Sequence, residues 1–466
     1  MMAPTPMLCL ALALSASTTL VRAIDPDESM VRFANGDQLG GAVVALVGDL
    51  LIWRSSSLER SHSFFQKNVI DLLLPSAPLE NVEKYEAMLK LTNGDSLSGQ
   101  LSSVTDEALV LDTRYAGRMT INRLMVAEVK ITGKSAFVFL GPTGLDQWEQ
   151  AEEKPAWTYR RGAFRSQGEG SIARDGLLTD ACSITFDVAW KGDALGFKVT
   201  VFSDNPTSDG SSSGYDISFQ RGSVYLKNNK TQSFLGSAST HSLMEKDRAR
   251  IEIRASLKSG KVCLMIDERV VEVWTDPEVA KGKFGQCLQF SATSSSPLRV
   301  SRIGVTPWDG VVDQVPEPQN GILRQFNLRG LSEDEAKPAP TRAAAMPGRM
   351  ELANGDSLMG EVGSINEGII AVKTPLGEVK IPMERFRIVA LKQVELERCK
   401  RRNGDIRAWF ADGSSLVFRL DGMSDGSLIG SSQNFGSATF KITAFNRIEF
   451  NIYNPAFEKN HQAADW

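Results

Sequence analysis

The chain has 466 residues, of which 42% are hydrophobic, and its 52 basic and 56 acidic side chains leave a net charge of −4. This length and hydrophobic content predict a globular protein of about three or more domains and exclude an intrinsically disordered chain. The slight acidic excess argues against a nucleic-acid partner, because binding to a phosphate backbone needs a concentrated basic face.

The first 23 residues have the composition of an export signal. An apolar run at Met7–Leu14 is followed by small and polar residues and ends in Val21-Arg22-Ala23, the small-residue pattern that signal peptidase cleaves. We expect residues 1–23 to be removed and the product to be exported, to the periplasm or out of the cell. The start lacks the usual basic residues, so an uncleaved anchor or a wrong start codon stays open. No later segment has the run of about 18 apolar residues that a transmembrane helix needs.

One turn sequence is repeated four times along the chain, as ANGD, TNGD, ANGD and ADGS beginning at Ala34, Thr92, Ala353 and Ala411. Asn-Gly between alternating apolar runs is the strongest short signal for a β-hairpin, and a type I′ turn with positive φ at both residues is expected. Each turn opens five short β-rich runs with one helical turn before the last, which predicts a small SH3-like or Sm-like barrel. The four predicted five-stranded barrels span residues 28–75, 86–135, 349–394 and 399–453.

The spacing of the turns suggests how the barrels pair. Asn35 and Asn93 lie 58 positions apart, and so do Asn354 and Asp412. Units of about 45 residues bury too little surface to be stable alone. We therefore expect two tandem pairs, one near each end, in which each barrel is stabilised by its neighbour in sequence. The Asp of the turn is expected to cap its own turn rather than bind a ligand.

Residues 141–310 form about nine short runs of alternating apolar and polar residues, separated by Gly, Asn, Asp and Ser. Such a pattern with few helical segments predicts an antiparallel β-sandwich. Residues 311–348, rich in Pro, Ala and charge, are interpreted as a linker, and residues 454–466 as a tail. The predicted fold class is all-β, with a central jelly-roll sandwich flanked by tandem small barrels.

The sandwich segments resemble a known superfamily in their order and texture. They are GPTGLDQW (141–148), SIARDGLLTDACSITFDVAW (171–190), GYDISF (214–219), RIEIR (250–254), LMIDERVVEVWTDP (264–277) and RVSRIGVTPWDG (299–310). In this order they are similar to the concanavalin A-like lectin/glucanase superfamily, in particular its laminin G-like and 3-keto-disaccharide hydrolase type. The resemblance implies a curved two-sheet sandwich whose relatives bind or act on saccharides or mediate protein contacts.

The acidic residues of the predicted strands do not form a glycosidase pattern. Retaining hydrolysis needs two carboxyl groups about 5 Å apart on one face, whereas the strand RIEIRAS carries only Glu252 and FDVAW only Asp187. Glu272 and Asp276 share a face but are separated by the bulky Trp274, and we interpret them as non-catalytic. No catalytic residue is therefore predicted.

The number and positions of the histidines limit which metal sites the sequence can form. The three histidines, His62, His241 and His461, lie in different regions, so neither a zinc site nor a Ser-His-Asp triad is expected. No cofactor is predicted apart from calcium, which an oxygen-rich loop could bind. The candidate calcium ligands are Asp204, Asn205, Asp209 and Asp216.

Four cysteines remain after signal cleavage: Cys182, Cys263, Cys287 and Cys399. In an oxidising compartment they allow three pairings, among which the sequence does not choose. At so low a density we expect four buried free thiols.

Aromatic side chains of the sandwich are candidates for a saccharide platform, because sugar rings stack on exposed aromatic faces. The four candidates, each of which could instead be a core residue, are Trp157, Tyr215, Tyr225 and Trp274. The sequence therefore predicts an exported, non-catalytic binding or scaffold protein of the cell envelope, with a glycan or an envelope protein as the partner. The alternatives are a sugar-acting enzyme related to the 3-keto-disaccharide hydrolases, and an assembly protein in which the sandwich only supports the barrels.

Overall fold

The computed structural model describes residues 28–55, 58–75, 87–131, 137–150, 155–192, 195–205, 213–220, 222–312, 349–352, 356–366, 368–389 and 396–462. Within these ranges the backbone forms 36 strands, all paired antiparallel, and one α-helix, α1, at Pro455–Gln462. The predicted all-β fold class is confirmed. In the described part of the chain no helix is both long and apolar enough to span a membrane. The predicted signal lies outside these residues.

The repeated turns that begin at Ala34, Thr92 and Ala411 each belong to a unit of five strands, with a one-turn 3₁₀ helix before the last strand, whereas residues 353–355 of the remaining copy lie outside the described residues. Unit 1 contains β1 (Ser29–Phe33), β2 (Gln38–Val47), β3 (Leu50–Arg54), β4 (Ser61–Phe65) and β5 (Val69–Leu73). Unit 2 contains β6 (Ala87–Leu91), β7 (Ser96–Val104), β8 (Ala108–Thr113), β9 (Gly117–Asn122) and β10 (Val126–Ile131). Closure of these units as SH3-like barrels stays a prediction.

The sandwich follows unit 2. Its strands are β11 (Phe139–Gly141), β12 (Glu149–Gln150), β13 (Trp157–Arg160), β14 (Ala163–Ser166), β15 (Gly170–Arg174), β16 (Ala181–Trp190), β17 (Phe197–Ser203), β18 (Tyr215–Gln220), β19 (Ser223–Asn228), β20 (Ser233–Ser239), β21 (Arg248–Ser256), β22 (Lys261–Ile266), β23 (Arg269–Thr275), β24 (Cys287–Ala292) and β25 (Leu298–Pro307).

Units 3 and 4 end the chain, and the second strand of unit 3 is split in two. Unit 3 contains β26 (Arg349–Leu352), β27 (Ser357–Met359), β28 (Glu361–Asn366), β29 (Ile369–Thr374), β30 (Gly377–Pro382) and β31 (Phe386–Val389). Unit 4 contains β32 (Asp405–Phe410), β33 (Ser415–Ser424), β34 (Ser427–Ser432), β35 (Gly436–Lys441) and β36 (Phe445–Glu449). The 3₁₀ helices of the four units are Gln66–Asn68, Arg123–Met125, Met383–Arg385 and Ile442–Ala444.

The repeated turn joins the first two strands of a unit, but it is not the type I′ turn that the sequence suggested. In the described copies only the glycine has positive φ, for example +91° at Gly36 and +89° at Gly94. The hydrogen bonds from Gly36 N to Phe33 O (3.0 Å) and from Phe33 N to Asp37 O (2.9 Å) instead define a type I turn closed by a left-handed glycine. The Asn keeps its usual φ because its side chain accepts a hydrogen bond from the Asp37 main chain at 3.1 Å.

The β-ladders that join units do not follow the order of the chain. Strand β5 pairs with β36, and β2 pairs with β33, so unit 1 is joined to unit 4. Strand β10 pairs with β31, and β7 pairs with β28, so unit 2 is joined to unit 3. The predicted tandem pairing is therefore wrong. The equal spacing of the turns gives only the length of one repeat and does not identify its partner. The sandwich lies between units 2 and 3 in the chain, so the chain can return from it to units 1 and 2. Such a long connection costs little more entropy to close than a short one.

Units 2 and 4 pack on each other and join the two pairs. The main-chain N–H of Asn122 donates to Asn434 O, and that of Lys441 donates to Tyr115 O, both at 2.8 Å. A third hydrogen bond joins the two units: the main-chain N–H of Val417 donates to the carboxylate of Asp95, in the unit 2 turn, at 2.7 Å. The units are thus connected in the order 1–4–2–3, and one hydrophobic cluster runs through all four.

Asp95 is 3% exposed, and burial raises the pKa of its carboxyl group to about 6. The folded state therefore holds the proton more tightly than the unfolded chain. The stability contribution of this group is greatest below pH 4 and falls by roughly 3 kcal/mol as the pH rises through 6. We expect Asp95→Asn, which keeps an acceptor for Val417 without the buried charge, to remove this slope and to stabilise the protein at pH 8. Urea unfolding between pH 4 and pH 8 measures the slope.

The control for this change is Asp95→Ala, which leaves the Val417 N–H without an acceptor. It should also lack the slope, and it should be less stable than Asp95→Asn by about 1–3 kcal/mol at every pH. Equal slopes for the wild type and Asp95→Asn would contradict the assignment of the slope to this carboxyl group.

The sandwich consists of two sheets that enclose a second hydrophobic cluster. One sheet has the strand order β13-β14-β25-β16-β21-β22-β23, with β11 added beside β25, and we call it the interface sheet. The other has the order β12-β15-β24-β17-β18-β19-β20, and we call it the open sheet. The predicted antiparallel sandwich is confirmed.

The outward face of the interface sheet is attached to unit 4. Asp187 accepts a hydrogen bond from Arg250 at 2.9 Å and another from Arg302. Arg250 also donates to the main-chain oxygen of Asp412, in the unit 4 turn, at 2.9 Å. Arg302 lies over the ring of Trp409, 5.0 Å from its centroid, and burial lowers the pKa of Arg302 to about 10. In the described ranges these contacts join the sandwich to unit 4 through the interface sheet.

Candidate functional site

The outward face of the open sheet, here called the open face, carries two rows of side chains that run across the strands. The residues between the rows, such as Ile172, Phe290 and Val199, are fully buried in the sandwich core, so alternation directs both rows outward. The first row is Ser171, Ser291, Lys198, Ser218, Tyr225 and Ser237. The second row is Glu149, Ala173, Gln289, Thr200, Asp216, Lys227 and Phe234. Among the described residues, no hydrogen bond or ion pair joins strands of the open sheet to the units.

Polar side chains at the centre of the open face are almost covered by their neighbours. Thr200 is 1% exposed, and Gln289 and Ser291 are each 5% exposed, although all three point out of the sandwich. The hydroxyl of Ser291 is paired with that of Ser171 at 2.8 Å. Within the described chain the side-chain amide of Gln289 has no hydrogen-bond partner, which leaves one donor group and one acceptor for a ligand.

A charged pair lies beside Gln289. The Asp216 carboxylate accepts a hydrogen bond from Thr200 at 2.6 Å and one from Lys198 at 3.2 Å. Both charged side chains keep part of their surface exposed, 29% for Lys198 and 15% for Asp216. They can therefore offer charge-assisted hydrogen bonds to a polar ligand that lies on the sheet.

Two aromatic side chains stand at the β20 side of the open face. Tyr225 is 39% exposed and Phe234 is 65% exposed, and their ring centroids are 6.5 Å apart. Their neighbours in the two rows are small or polar residues, so the rings have no apolar partner beyond each other. An exposed aromatic pair on the same sheet face as polar side chains can bind a ligand that has both apolar faces and hydroxyl groups.

Only one of the four predicted platform aromatics lies on the surface. Tyr225 is exposed, whereas Trp157, Tyr215 and Trp274 are only 1%, 0% and 6% exposed and belong to the sandwich core. These three are core residues, the alternative stated for each of them, because strand alternation turns them inward. Burial and the nearby Asp276 carboxylate, which accepts a hydrogen bond from the Tyr215 hydroxyl at 2.9 Å, raise the pKa of Tyr215.

The candidate calcium ligands do not converge in the described structure. Asp204 accepts a hydrogen bond at 2.7 Å from the main-chain N–H of Ser213, and this bond lowers the pKa of Asp204. Asn205 follows it on the surface, Asp216 is bound to Lys198 and Thr200, and Asp209 lies outside the described residues. In the described ranges no group of three or more His, Cys, Asp or Glu side chains could hold a metal ion. Calcium binding stays a prediction.

The acidic residues weighed for catalysis have structural partners. Glu252 accepts hydrogen bonds from Ser183 at 2.8 Å and from Arg254 at 2.6 Å. Asp276 is 2% exposed and accepts hydrogen bonds from Tyr215 and, at 2.7 Å, from Asn228. Both carboxylates therefore stabilise the sandwich.

The four cysteines are free thiols, and three of them are buried, whereas Cys399 is half-buried. Burial raises the pKa of Cys182 and Cys287 to about 12 and that of Cys263 to about 11. Thiols that stay protonated at neutral pH are poor nucleophiles.

No family model matches this chain, and no curated protein matches it. Among solved structures, a protein of Parabacteroides distasonis described as a glycosyl hydrolase aligns with 36% of this chain and 98% of its own, at 11% identity and a TM-score of 0.29. The carbohydrate binding module CBM66 of Bacillus subtilis aligns with 34% of this chain and 94% of its own, at 16% identity and a TM-score of 0.26. A legume lectin-like domain of Entamoeba histolytica aligns with 36% of this chain and 96% of its own, at 11% identity and a TM-score of 0.29.

Proposed function

We propose that this protein is an exported binding protein, without catalytic activity of its own, whose open face binds a glycan. The observation that carries the proposal is the combination found on that face. Exposed aromatic rings stand at the β20 side of the face, and nearly covered polar groups lie at its centre, where the Gln289 amide has no hydrogen-bond partner among the described residues. A sugar ring has apolar C–H faces that stack on aromatic rings and hydroxyl groups that both donate and accept hydrogen bonds.

The position of the sandwich supports this function. The interface sheet uses its outward face for contacts with unit 4, through Arg250 and Arg302. Lys90 of unit 2 adds an ion pair with Glu268, at 2.9 Å, on the same side of the sandwich. The units hold the sandwich from one side and leave the open face to a ligand, which suits a scaffold that displays a binding sheet.

Export is the second part of the proposal and rests on the composition of residues 1–23. Mass spectrometry of the protein recovered from outside the cytoplasm tests it. A mature chain that begins at Ile24 supports export with cleavage, and a chain retained in the cytoplasm with its first residues intact contradicts it.

Removal of the Tyr225 ring should weaken glycan binding by about tenfold, because a stacked ring contributes roughly 1–1.5 kcal/mol. Gln289→Ala should weaken it by a similar factor, since the amide supplies the hydrogen bonds at the centre of the face. A glycan array of the purified chain, run with calcium and with chelator, identifies the ligand, and calorimetry then measures both variants. The matched control is Ile429→Ala, an equally exposed residue of unit 4 (43% exposed), which should bind as the wild type does.

Two outcomes would contradict this function. An array on which no glycan binds in either buffer would favour the assembly role of the units, with the sandwich as support. Release of sugar from any bound glycan would favour the enzyme, with acids contributed from separate loops.

A further inference from the structure

The four units allow an internal comparison of equivalent surface positions. The residue three positions before the end of the fourth strand is His62 in unit 1, Met119 in unit 2, Val379 in unit 3 and Ala438 in unit 4. Met119, which lies where units 2 and 4 pack, is only 3% exposed, and Ala438 is half-buried. His62 is exposed, and Val379 is 42% exposed. The same edge is therefore covered in the middle units and uncovered in the end units.

The loop between the third and fourth strands shows the same contrast. Tyr115 of unit 2 is 5% exposed, because its ring packs on Phe410 of unit 4 with centroids 4.7 Å apart. Phe435 of the unit 4 loop is 7% exposed. Leu58 in the unit 1 loop is 41% exposed, and Leu376 in the unit 3 loop is 100% exposed. A fully exposed Leu at the tip of a hairpin contributes nothing to the fold of its own unit.

Exposed apolar side chains are concentrated on the two end units. Of the sixteen large hydrophobic residues that are exposed in the described part of the chain, eight lie on units 1 and 3. They are Val44, Val47, Leu58 and Phe65 on unit 1, and Met359, Ile369, Leu376 and Val379 on unit 3. These side chains are available for a contact with another chain.

We propose that unit 1 of one copy of this protein docks on unit 3 of a second copy, and that this contact repeats the one between units 2 and 4. The end units carry matching halves of that contact. Asp37 is exposed at the position that Asp95 occupies in unit 2, where the carboxylate accepts a hydrogen bond from Val417. The unit 3 residue equivalent to Val417 is Met359, whose strand β27 forms a free edge of its sheet.

Of the two main-chain hydrogen bonds between units 2 and 4, donated by Asn122 and Lys441, only the first has an equivalent donor in the end units. Phe65 ends the fourth strand of unit 1 as Asn122 does in unit 2, so its N–H can donate to the tip of the unit 3 hairpin. In the other direction the donor Lys441 is replaced by Pro382, which has no N–H. The docked copies therefore keep two of the three hydrogen bonds, so the contact between copies is weaker than the one inside the chain.

The contact is heterologous, because it joins two different surfaces, and it leaves a free unit 1 and a free unit 3 at the ends of every assembly. Copies therefore add head to tail. Sedimentation velocity of the purified chain, from about 1 µM to about 100 µM, should show species larger than a dimer that grow with concentration. Leu376→Glu and Phe65→Glu each place a charge in one half of the contact and should each give monomers. The control Ile429→Glu, on the surface of unit 4, should assemble as the wild type does.

Mixing the two variants provides the decisive measurement. Leu376→Glu keeps an intact unit 1 face and Phe65→Glu keeps an intact unit 3 face, so an equimolar mixture should form a 1:1 dimer that does not grow further. Pro382→Ala restores the missing N–H donor and should tighten assembly by about tenfold. A wild-type chain that stays monomeric over the whole range overturns the proposal. So does a mixture of the two variants that stays monomeric, or assembly that persists in either variant alone.

Discussion

Replacement of Asp71 by Ala should destabilise the pair formed by units 1 and 4 by about 3–5 kcal/mol, because it removes the buried carboxylate that pairs with both Arg32 and the half-buried Arg447. Asp71 is completely buried. Its carboxylate accepts two hydrogen bonds from Arg32 of unit 1, at 2.7 and 2.5 Å, and one from Arg447 of unit 4 at 2.7 Å. The ion cluster thus lies where β5 pairs with β36, and its loss should separate the first unit from the last.

The pH dependence of this cluster has the opposite sign to that of Asp95. Burial raises the pKa of Asp71, but the attraction of Arg447 and the hydrogen bonds and charge of Arg32 outweigh it, so the pKa lies below its ordinary value of 3.8. A lowered pKa means that the cluster stabilises the fold fully above pH 4 and that this stability is lost as the pH falls below it. Urea unfolding of the wild type should show this loss at acid pH, and Asp71→Ala should not.

Two further variants separate the charge from the shape of the side chain. Asp71→Asn keeps the volume and part of the hydrogen bonding, and it should lie between the wild type and Asp71→Ala. Asp421→Ala removes an exposed acid of unit 4 and should change the free energy of unfolding by less than about 0.5 kcal/mol. If Asp71→Ala cost no more than this control, the ion cluster would not stabilise the pair.

The strands of this protein could be predicted from local sequence, whereas the partners of the strands could not. Alternation in CLQFSA identifies Leu288 and Phe290 as core residues and directs Gln289 and Ser291 to the other face. No local signal shows that β24 lies between β15 and β17, so the sequence did not bring Gln289 next to Thr200. The same limit applies to the units. The sequence shows the length of the repeat, but it does not show that unit 1 pairs with unit 4.

Only part of the candidate site, Tyr225 and Asp216, was among the predicted site residues, for a related reason. An aromatic residue can form a saccharide platform only when its ring points outward. The strands that carry Trp157 and Tyr215 direct both rings into the core. Phe234 lies in the run SFLGSAS, which has only one other large apolar side chain, and its exposure depends on the edge position of β20. The sequence signal that could have found the face is the set of polar residues at alternate positions of β17, β18 and β24.

Assembly and glycan binding act together. Each copy that joins an assembly through its end units would add one open face. Binding sites linked in this way raise the local concentration of ligand for the next site, so a weak contact with one sugar becomes a strong contact with a polymer. Leu376→Glu should therefore leave the affinity for a short glycan unchanged and reduce the affinity for a long one, which distinguishes loss of assembly from loss of the binding face.

Phe290→Ala should destabilise the sandwich by about 3–5 kcal/mol, because it opens a cavity at the centre of the aromatic core. Phe290 is fully buried, and its ring centroid lies 5.1 Å from Phe186, 6.0 Å from Phe197 and 6.1 Å from Trp148. These neighbours come from strands of both sheets and from the loop before β12, so the cavity cannot close by the movement of one side chain. The thermal transition of the sandwich should fall by about 10 °C.

The same substitution should also weaken glycan binding, because Phe290 holds the strand that presents Gln289 to the open face. The matched control is Phe234→Ala, the same chemical change at a side chain that is 65% exposed, which should lower stability by less than about 1 kcal/mol. Calorimetry measures the transitions, and hydrogen exchange assigns the loss to residues 137–312. Equal transition temperatures for the two variants would mean that the aromatic cluster around Phe290 is not what stabilises the sandwich. A loss of protection that spread equally through units 1 to 4 would mean that the sandwich and the units unfold as one body, coupled through the contacts of Arg250 and Arg302.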